Sequence, residues 1–148
     1  MTDVETLQEC RMATMEERAL SRQIERLALI SGPRGVASQA MEPAGDRKTN
    51  NASAAQLQQL EGLIEKLTRK RDENIDIIQR AERVIERILS RRDRVLVRYY
   101  YVEGKSEYDI ANEMDMSRQW VNQRRNLLLD ALASKRKNNF HNGQTLLN

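Results

Sequence analysis

The sequence predicts an all-α fold, in which a long helical, coiled-coil-like arm is followed by a C-terminal domain of short helices. Residues 55–89 run without a strong helix breaker other than Gly62, and apolar residues recur there at steps of three and four. Residues 104–132 contain two serines at positions suited to helix capping. The arm is therefore placed at residues 55–90 and the C-terminal domain at residues 91–137.

Two segments precede the arm. Residues 1–30 are expected to form an N-terminal helix, because they are rich in helix-forming residues and carry apolar residues loosely spaced along one side. Residues 31–54 contain both prolines and three of the six glycines, which predicts a flexible linker.

The arm carries an apolar seam at heptad-like spacing, and seven of its nine residues are apolar. The seam consists of Leu60, Ile64, Leu67, Arg71, Asn74, Ile78, Ala81, Ile85 and Ile88. Such a seam is too apolar to stay exposed along its length and marks a partner surface. We expect a homodimer through residues 55–90. The helix that covers the seam is residues 6–30 of the same chain, of a second chain, or of both.

The C-terminal domain begins with paired capping signals. Ser106 and Ser117 are each placed to cap a helix, and Gly104 suits the left-handed residue that ends the preceding helix. Ala111 is small enough to let a second helix cross closely. Asp115 has to adopt left-handed backbone angles, since the turn contains no glycine. These features predict a helix-turn-helix.

The second helix of this motif has distinct inward and outward faces. Val121, Leu128 and Leu132 recur at helical spacing as the inward face. Outward Arg, Gln and Asn side chains suit the edges of guanine and adenine in the major groove of DNA. The residues expected at the bases are Arg118, Gln119, Trp120, Asn122 and Gln123, and those expected at backbone phosphates are Arg124, Arg125, Lys135, Arg136 and Lys137. The capping residue Ser117 is also expected to belong to the DNA-binding set.

The charge distribution supports a nucleic-acid partner. The net charge is +3, but residues 116–148 hold six basic residues against Asp130 alone. Positive charge is thus concentrated where phosphates would have to be neutralised. Double-stranded DNA is the expected partner.

The same region resembles the C-terminal, promoter-binding domain of bacterial sigma factors, and most closely the small phage-encoded regulators of the ArpU and RinA type. The residues that carry the resemblance are Arg98, Tyr99, Tyr100, Gly104, Ser106, Asp109, Ile110, Ala111, Met114, Met116, Ser117, Val121 and Leu132. They cover about a third of the chain. Trp120 departs from the Arg or Lys usual in that family, and it is expected to contact a sugar or a thymine methyl group.

The resemblance implies a sequence-specific transcription regulator of phage or prophage type. It leaves open whether the protein activates, represses or replaces a promoter-binding subunit. Two alternatives stand beside it: a DNA-recognition small subunit of a viral packaging machine, and a factor that binds host RNA polymerase with little DNA contact.

Other functional classes find little support in the sequence. It contains no Gly-rich phosphate loop, no nucleophile elbow and no cluster of metal ligands, so neither an enzyme nor a cofactor or metal site is expected. The single Cys10 and the lack of a long apolar run predict a cytoplasmic protein without a membrane span, associated with the nucleoid of a bacterial host. The polar tail, residues 138–148, is expected to be disordered.

Overall fold

The computed structural model describes residues 1–31, 46–134, 140–141 and 143–148, and these are mostly helical, which confirms the predicted all-α class. The helical elements are α1 (Asp3–Ser31), α2 (Asp46–Glu86), α3 (Arg91–Val97), a π-helical segment (Arg98–Val102), α4 (Glu107–Met114) and α5 (Arg118–Ala133). Two strands, β1 (Phe140–His141) and β2 (Gln144–Thr145), pair antiparallel, with Phe140 opposite Thr145.

The predicted linker, residues 31–54, falls partly on residues 32–45, which lie outside the described residues. The rest of it is helical: Ser31 ends α1, and α2 begins at Asp46 rather than at residue 55. Residues 46–54 contain neither proline nor glycine. A helix nucleated in the apolar stretch downstream therefore meets no residue that would stop it earlier.

The described chain divides into two compact units. One consists of Met1–Met15 with Asn74–Asn148, and the other of Glu16–Glu73. The first unit contains the N-terminal half of α1 together with all the short helices. Residues 1–15 thus belong with the C-terminal domain, which the sequence analysis placed at residues 91–137.

The unit Glu16–Glu73 is a pair of helical segments with a thin apolar contact and charged flanks. Leu20 and Leu67 are its buried apolar residues among those described. The Nζ of Lys70 donates a hydrogen bond to the carboxylate of Glu16 at 3.0 Å. Exposed ion pairs of this kind contribute less than about 1 kcal/mol each.

The core of the other unit draws on every helix in it. Its buried residues are Leu7, Cys10, Ala81, Val84, Ile85, Ile88, Leu96, Val97, Tyr101, Ile110, Ala111, Val121, Leu128, Ala131, Leu132, Leu146 and Leu147. Because Leu7 and Cys10 are fully buried here, the N-terminal helix is part of the core.

The C-terminal third of the predicted seam of the arm is covered within one chain. Ala81, Ile85 and Ile88 are fully buried in the core that also contains Leu7 and Cys10. Of the alternatives left open by the sequence, α1 of the same chain is the one that covers this stretch of α2. A second chain cannot use these residues without displacing α1.

The π-helical segment is held by hydrogen bonds from α1. A π-helix pairs each amide with the carbonyl five residues earlier, as the amide of Glu103 does with the carbonyl of Arg98 at 3.0 Å. Carbonyl groups at the end of the segment then need other donors. The guanidinium of Arg11 donates to the carbonyl of Tyr100, and the hydroxyl of Thr14 donates to the carbonyl of Val102 at 2.9 Å.

The tail does not follow the prediction of disorder at Leu146 and Leu147, which are buried in the core. After α2 ends at Glu86, the amides of Arg87 and Ile88 still donate to carbonyls of its last turn. The tail pairs with the carbonyl of Arg87 and the amide of Leu89. The amide of Leu89 donates to the carbonyl of Leu146 at 3.1 Å, and the amide of Asn148 donates to the carbonyl of Arg87 at 2.7 Å. Two leucines in a polar segment were too weak a signal for this contact.

A buried ion pair connects α3 to α5. Both oxygens of the Asp93 carboxylate accept hydrogen bonds from Arg124, each at 2.8 Å. The Asp93 side chain is 1% exposed and that of Arg124 is 14% exposed. Hydrogen bonding to Asp93 raises the pKa of the Arg124 guanidinium above its ordinary value. The pair fixes how α5 lies against α3, because a fork-shaped contact specifies orientation as well as distance.

We expect Asp93→Asn to lower the free energy of unfolding by about 3–5 kcal/mol, because the Arg124 charge is then left buried without its partner. The matched control is Glu82→Gln, which removes the carboxylate of a similar two-bond pair with Arg98. That pair is about one-third exposed, so the control should lose about 1 kcal/mol or less. Urea unfolding followed by circular dichroism measures both, and equal losses would contradict the role given to Asp93.

The contribution of α1 to the core has its own test. Leu7→Ala should lower the free energy of unfolding by about 2–5 kcal/mol, because it opens a cavity in a fully buried site. Leu29→Ala, on the exposed part of the same helix, should stay within about 0.5 kcal/mol of the parent protein. A Leu7→Ala protein as stable as the Leu29→Ala protein would show that the N-terminal helix is not needed by the core.

Candidate nucleic-acid interface

Helices α4 and α5 are joined by a tight turn that follows the predicted capping pattern. The Ser106 hydroxyl accepts a hydrogen bond from the amide of Asp109 at 3.2 Å and starts α4. Asp115 ends α4 in the left-handed region, at φ 55° and ψ 45°. The amide of Met116 donates to the carbonyl of Ala111 at 2.9 Å and closes the turn. The predictions for Ser106 and Asp115 are confirmed.

The start of α5 is set by Ser117, as predicted. Its hydroxyl accepts a hydrogen bond from the amide of Trp120 at 3.0 Å. This bond satisfies one of the amide groups that have no partner in the first turn of a helix. Ser117 is exposed at the surface, and its hydroxyl oxygen already accepts the capping hydrogen bond.

The two faces of α5 differ sharply in exposure. Val121, Leu128, Ala131 and Leu132 are buried, which confirms the predicted inward face and adds Ala131 to it. At about 100° per residue, the polar face lies roughly 180° away around the helix. It consists of Arg118, Gln119, Asn122, Gln123 and Asn126, which are exposed apart from the half-buried Asn122.

Three side chains of this polar face are uncommitted. Among the described residues, none forms a side-chain hydrogen bond or ion pair with Arg118, Gln119 or Gln123. A guanidinium and two amides therefore present their full set of donors and acceptors to solvent. These are the predicted base-reading residues that the fold leaves free.

Trp120 lies beside a basic residue that the sequence analysis did not select. The guanidinium carbon of Arg92 lies 5.1 Å from the centre of the Trp120 ring, within the range of a cation–π contact. Arg92 and its neighbour Arg91 are both exposed at the start of α3. Ser90 caps this helix by accepting a hydrogen bond from the amide of Asp93. The nearness of Arg92 to α5 arises from tertiary structure.

Arg124 and Arg125 do not match the role predicted for them. Arg124 is paired with the buried Asp93, as described above. Arg125 donates to Glu107 at 3.2 Å, lies 4.4 Å from the centre of the Tyr100 ring, and is 14% exposed. Both guanidinium groups are thus occupied inside the protein and are not presented to a phosphate. Two basic residues in the middle of a helix looked like surface charge because their partners are distant in sequence.

The surroundings of Arg125 keep it charged. Burial by itself lowers the pKa of this guanidinium, but interactions with Tyr101, Tyr100 and Glu107 outweigh burial, so that its pKa is raised overall. Burial raises the pKa of the Tyr101 hydroxyl. Arg125 therefore acts as a permanent positive charge that ties α5 to α4 and to the π-helical segment.

Both the amino group and the carbonyl oxygen of the Asn122 side chain already form a hydrogen bond within the protein. Its amino group donates to Glu107 on α4 at 3.2 Å, and its carbonyl oxygen accepts from Asn126 at 3.3 Å. Asn126 was not among the predicted site residues. Its position one helical turn after Asn122, on the same face, was a usable signal in the sequence.

The remaining predicted phosphate contacts, Lys135, Arg136 and Lys137, lie outside the described residues. Within the described ranges no group of three or more His, Cys, Asp or Glu side chains is arranged to hold a metal ion. None of the helices in those ranges combines the length and the apolar character that crossing a membrane requires.

Comparison with known proteins adds no relative: no family model, no curated protein and no solved structure matches this chain.

Proposed function

We propose that α4, the turn at Asp115 and α5 form a helix-turn-helix, and that the protein is a sequence-specific DNA-binding transcription regulator. The observation that carries this proposal is the polar face of α5. Arg118, Gln119 and Gln123 lie opposite the buried face, and their side chains have no hydrogen-bond or ion-pair partner among the described residues. Side chains without such partners contribute little to the stability of the fold. Their position suits recognition of another molecule.

Helix α5 has the dimensions and chemistry that the major groove of DNA accepts. Its 16 residues span about 24 Å at 1.5 Å per residue, and the major groove is wide enough for an α-helix. Arg118 has the forked donors that pair with the O6 and N7 of guanine. Gln119 and Gln123 each offer an N–H donor beside a carbonyl acceptor, the pair that adenine requires.

The phosphate contacts are assigned to residues that are exposed and basic. Arg91 and Arg92 start α3, and Arg92 lies against Trp120 on α5. They take the place of Arg124 and Arg125, whose side chains are engaged inside the protein. Lys135, Arg136 and Lys137 keep their proposed role on the ground of charge alone.

The assignment to transcription rests on the resemblance to sigma-like phage regulators carried by the residues of this motif. Selection from a randomised pool of double-stranded DNA by the full-length protein, with the enriched sequence then located in the source genome, tests it. A site beside a promoter supports regulation, and a site at which viral DNA is packaged supports the packaging alternative. Binding of RNA polymerase without DNA enrichment supports the polymerase-binding alternative and excludes direct base recognition.

Base contacts and phosphate contacts should respond differently to mutation. Gln123→Ala should weaken binding to the selected site by about 1–3 kcal/mol and leave binding to unrelated DNA nearly unchanged. Arg91→Ala should weaken binding to both DNAs alike and reduce the slope of log K against log salt by about one. Gln79→Ala, at an exposed glutamine on α2, is the control and should change neither quantity. Fluorescence anisotropy over a range of salt concentrations measures all three. Identical behaviour of the Gln123 and Arg91 variants would contradict the assigned roles.

The proposal includes a homodimer through α2. A single helix-turn-helix reads few base pairs, so useful specificity generally requires two copies. The seam at Ala81, Ile85 and Ile88 is already covered, and the proposed contact therefore lies in the unit Glu16–Glu73. There Leu57 and Ile64, seven residues apart on one face of α2, are 45% and 46% exposed.

We expect light scattering of the full-length protein to give the mass of a dimer, and Leu57→Asp with Ile64→Asp to give the mass of a monomer. Two carboxylates at an apolar contact would be desolvated without partners. Gln58→Asp adds charge at a neighbouring polar position and should leave the dimer intact. A monomer mass for the parent protein at tens of micromolar would overturn the dimer and leave the DNA-binding proposal standing.

A further inference from the structure

Glu107 on α4 determines how two side-chain amides of α5, those of Asn122 and Asn126, are oriented. Its carboxylate oxygen accepts from the amino group of Asn122 and from the guanidinium of Arg125, both at 3.2 Å. The Glu107 side chain is only 18% exposed. A carboxylate accepts hydrogen bonds and does not donate them, so Asn122 must turn its amino group, and not its oxygen, toward α4.

The orientation of Asn122 in turn determines that of Asn126, one turn later on α5. With its amino group on Glu107, Asn122 presents its oxygen to Asn126, whose amino group donates to it at 3.3 Å. Reversing Asn126 would place two oxygens against each other and lose this bond. The charge of Glu107 therefore fixes the orientation of both amides.

The orientation of Asn126 determines which of its polar atoms face solvent. One amino hydrogen donates to Asn122, so the amide oxygen and the second amino hydrogen remain available to a ligand. At about 100° per residue, Asn126 lies near the middle of the polar face, between Arg118 and Gln123. An amide oxygen beside an N–H matches the N6 amino group and N7 of adenine in the major groove.

We propose that Asn126 reads an adenine, and that Glu107 and Asn122 are positioning residues that hold its amide in the orientation required. This inference rests on the proposed DNA-binding function and names a base-specific contact within it. Among the described residues, no hydrogen bond orients the side-chain amides of Gln119 and Gln123, so these amides must be ordered when DNA binds. Asn126 is ordered beforehand, which lowers the entropy lost on binding.

The test repeats the selection from a randomised double-stranded DNA pool with the full-length protein and four variants. Asn126→Ala should lose the preference for adenine at one position of the selected sequence, on the order of tenfold, and keep the other positions. Glu107→Gln should weaken the preference at that same position, because an amide can donate as well as accept and no longer dictates the orientation of Asn122. Asn126→Asp, which can only accept, should shift the preference there from adenine toward cytosine.

Glu113→Gln is the matched control. It makes the same change on the same helix, but its carboxylate accepts from Lys105 at 2.6 Å instead of reaching α5. It should leave the selected sequence unchanged, and circular dichroism should show equal helix content for all variants. If the parent protein selects a sequence and Asn126→Ala selects the same one, the inference is wrong and the DNA-binding proposal stands. If Glu107→Gln and Glu113→Gln alter the sequence alike, the positioning role of Glu107 is wrong. If the parent protein selects no sequence, both proposals fail.

Discussion

The position of α5 depends on one buried carboxylate. Asp93 lies in the first turn of α3, which Ser90 caps, and its carboxylate accepts two hydrogen bonds from the guanidinium of Arg124. A charge this deeply buried is costly unless it is paired in good geometry, so any movement of α5 that breaks the fork is strongly opposed. The polar face of α5 inherits this constraint. With Arg124 drawn inward on one side, Arg118 and Gln123 are turned outward, and the groups that are proposed to read bases sit on a helix with a fixed rotation.

The N-terminal half of α1 packs into the same unit as α3 and α5. Leu7 and Cys10 complete the core, while Arg11 and Thr14 donate to carbonyl groups of the π-helical segment. A π-helix is rare and occurs mostly as a single turn continuous with an α-helix, as this segment is with α3. The ends of the chain thus stabilise the same set of short helices, because Leu146 also enters this core. A fragment that begins at the start of α3 would lack Leu7 of α1 and the α2 residues Ala81 and Ile85, which belong to the same core.

The arginines of α5 divide into two groups with opposite roles, although they are chemically identical. Arg124 and Arg125 contact Asp93, Glu107 and the Tyr100 ring, whereas Arg118 has no hydrogen-bond or ion-pair partner within the described part of the chain. In the proposed complex, affinity comes from exposed basic residues and specificity from the amides of the polar face. Glu107 connects an internal arginine to the polar face, since its carboxylate accepts hydrogen bonds from both Arg125 and Asn122.

The sequence by itself determined the features that depend on near neighbours. Ser106 and Ser117 cap helices because the amide that each hydroxyl reaches is three residues away, and Val121 and Leu128 face inward because helical periodicity places them on one side. Tertiary structure decided what depends on contacts between residues distant in the chain. Leu7 and Cys10 of α1 share a core with Ala81, Ile85 and Ile88, Leu146 returns to that core, and Arg124 points at Asp93 instead of outward. Residue type cannot distinguish a free arginine from one whose partner lies 31 residues away, because the free energy of such a pair depends on burial that only the assembled helices create.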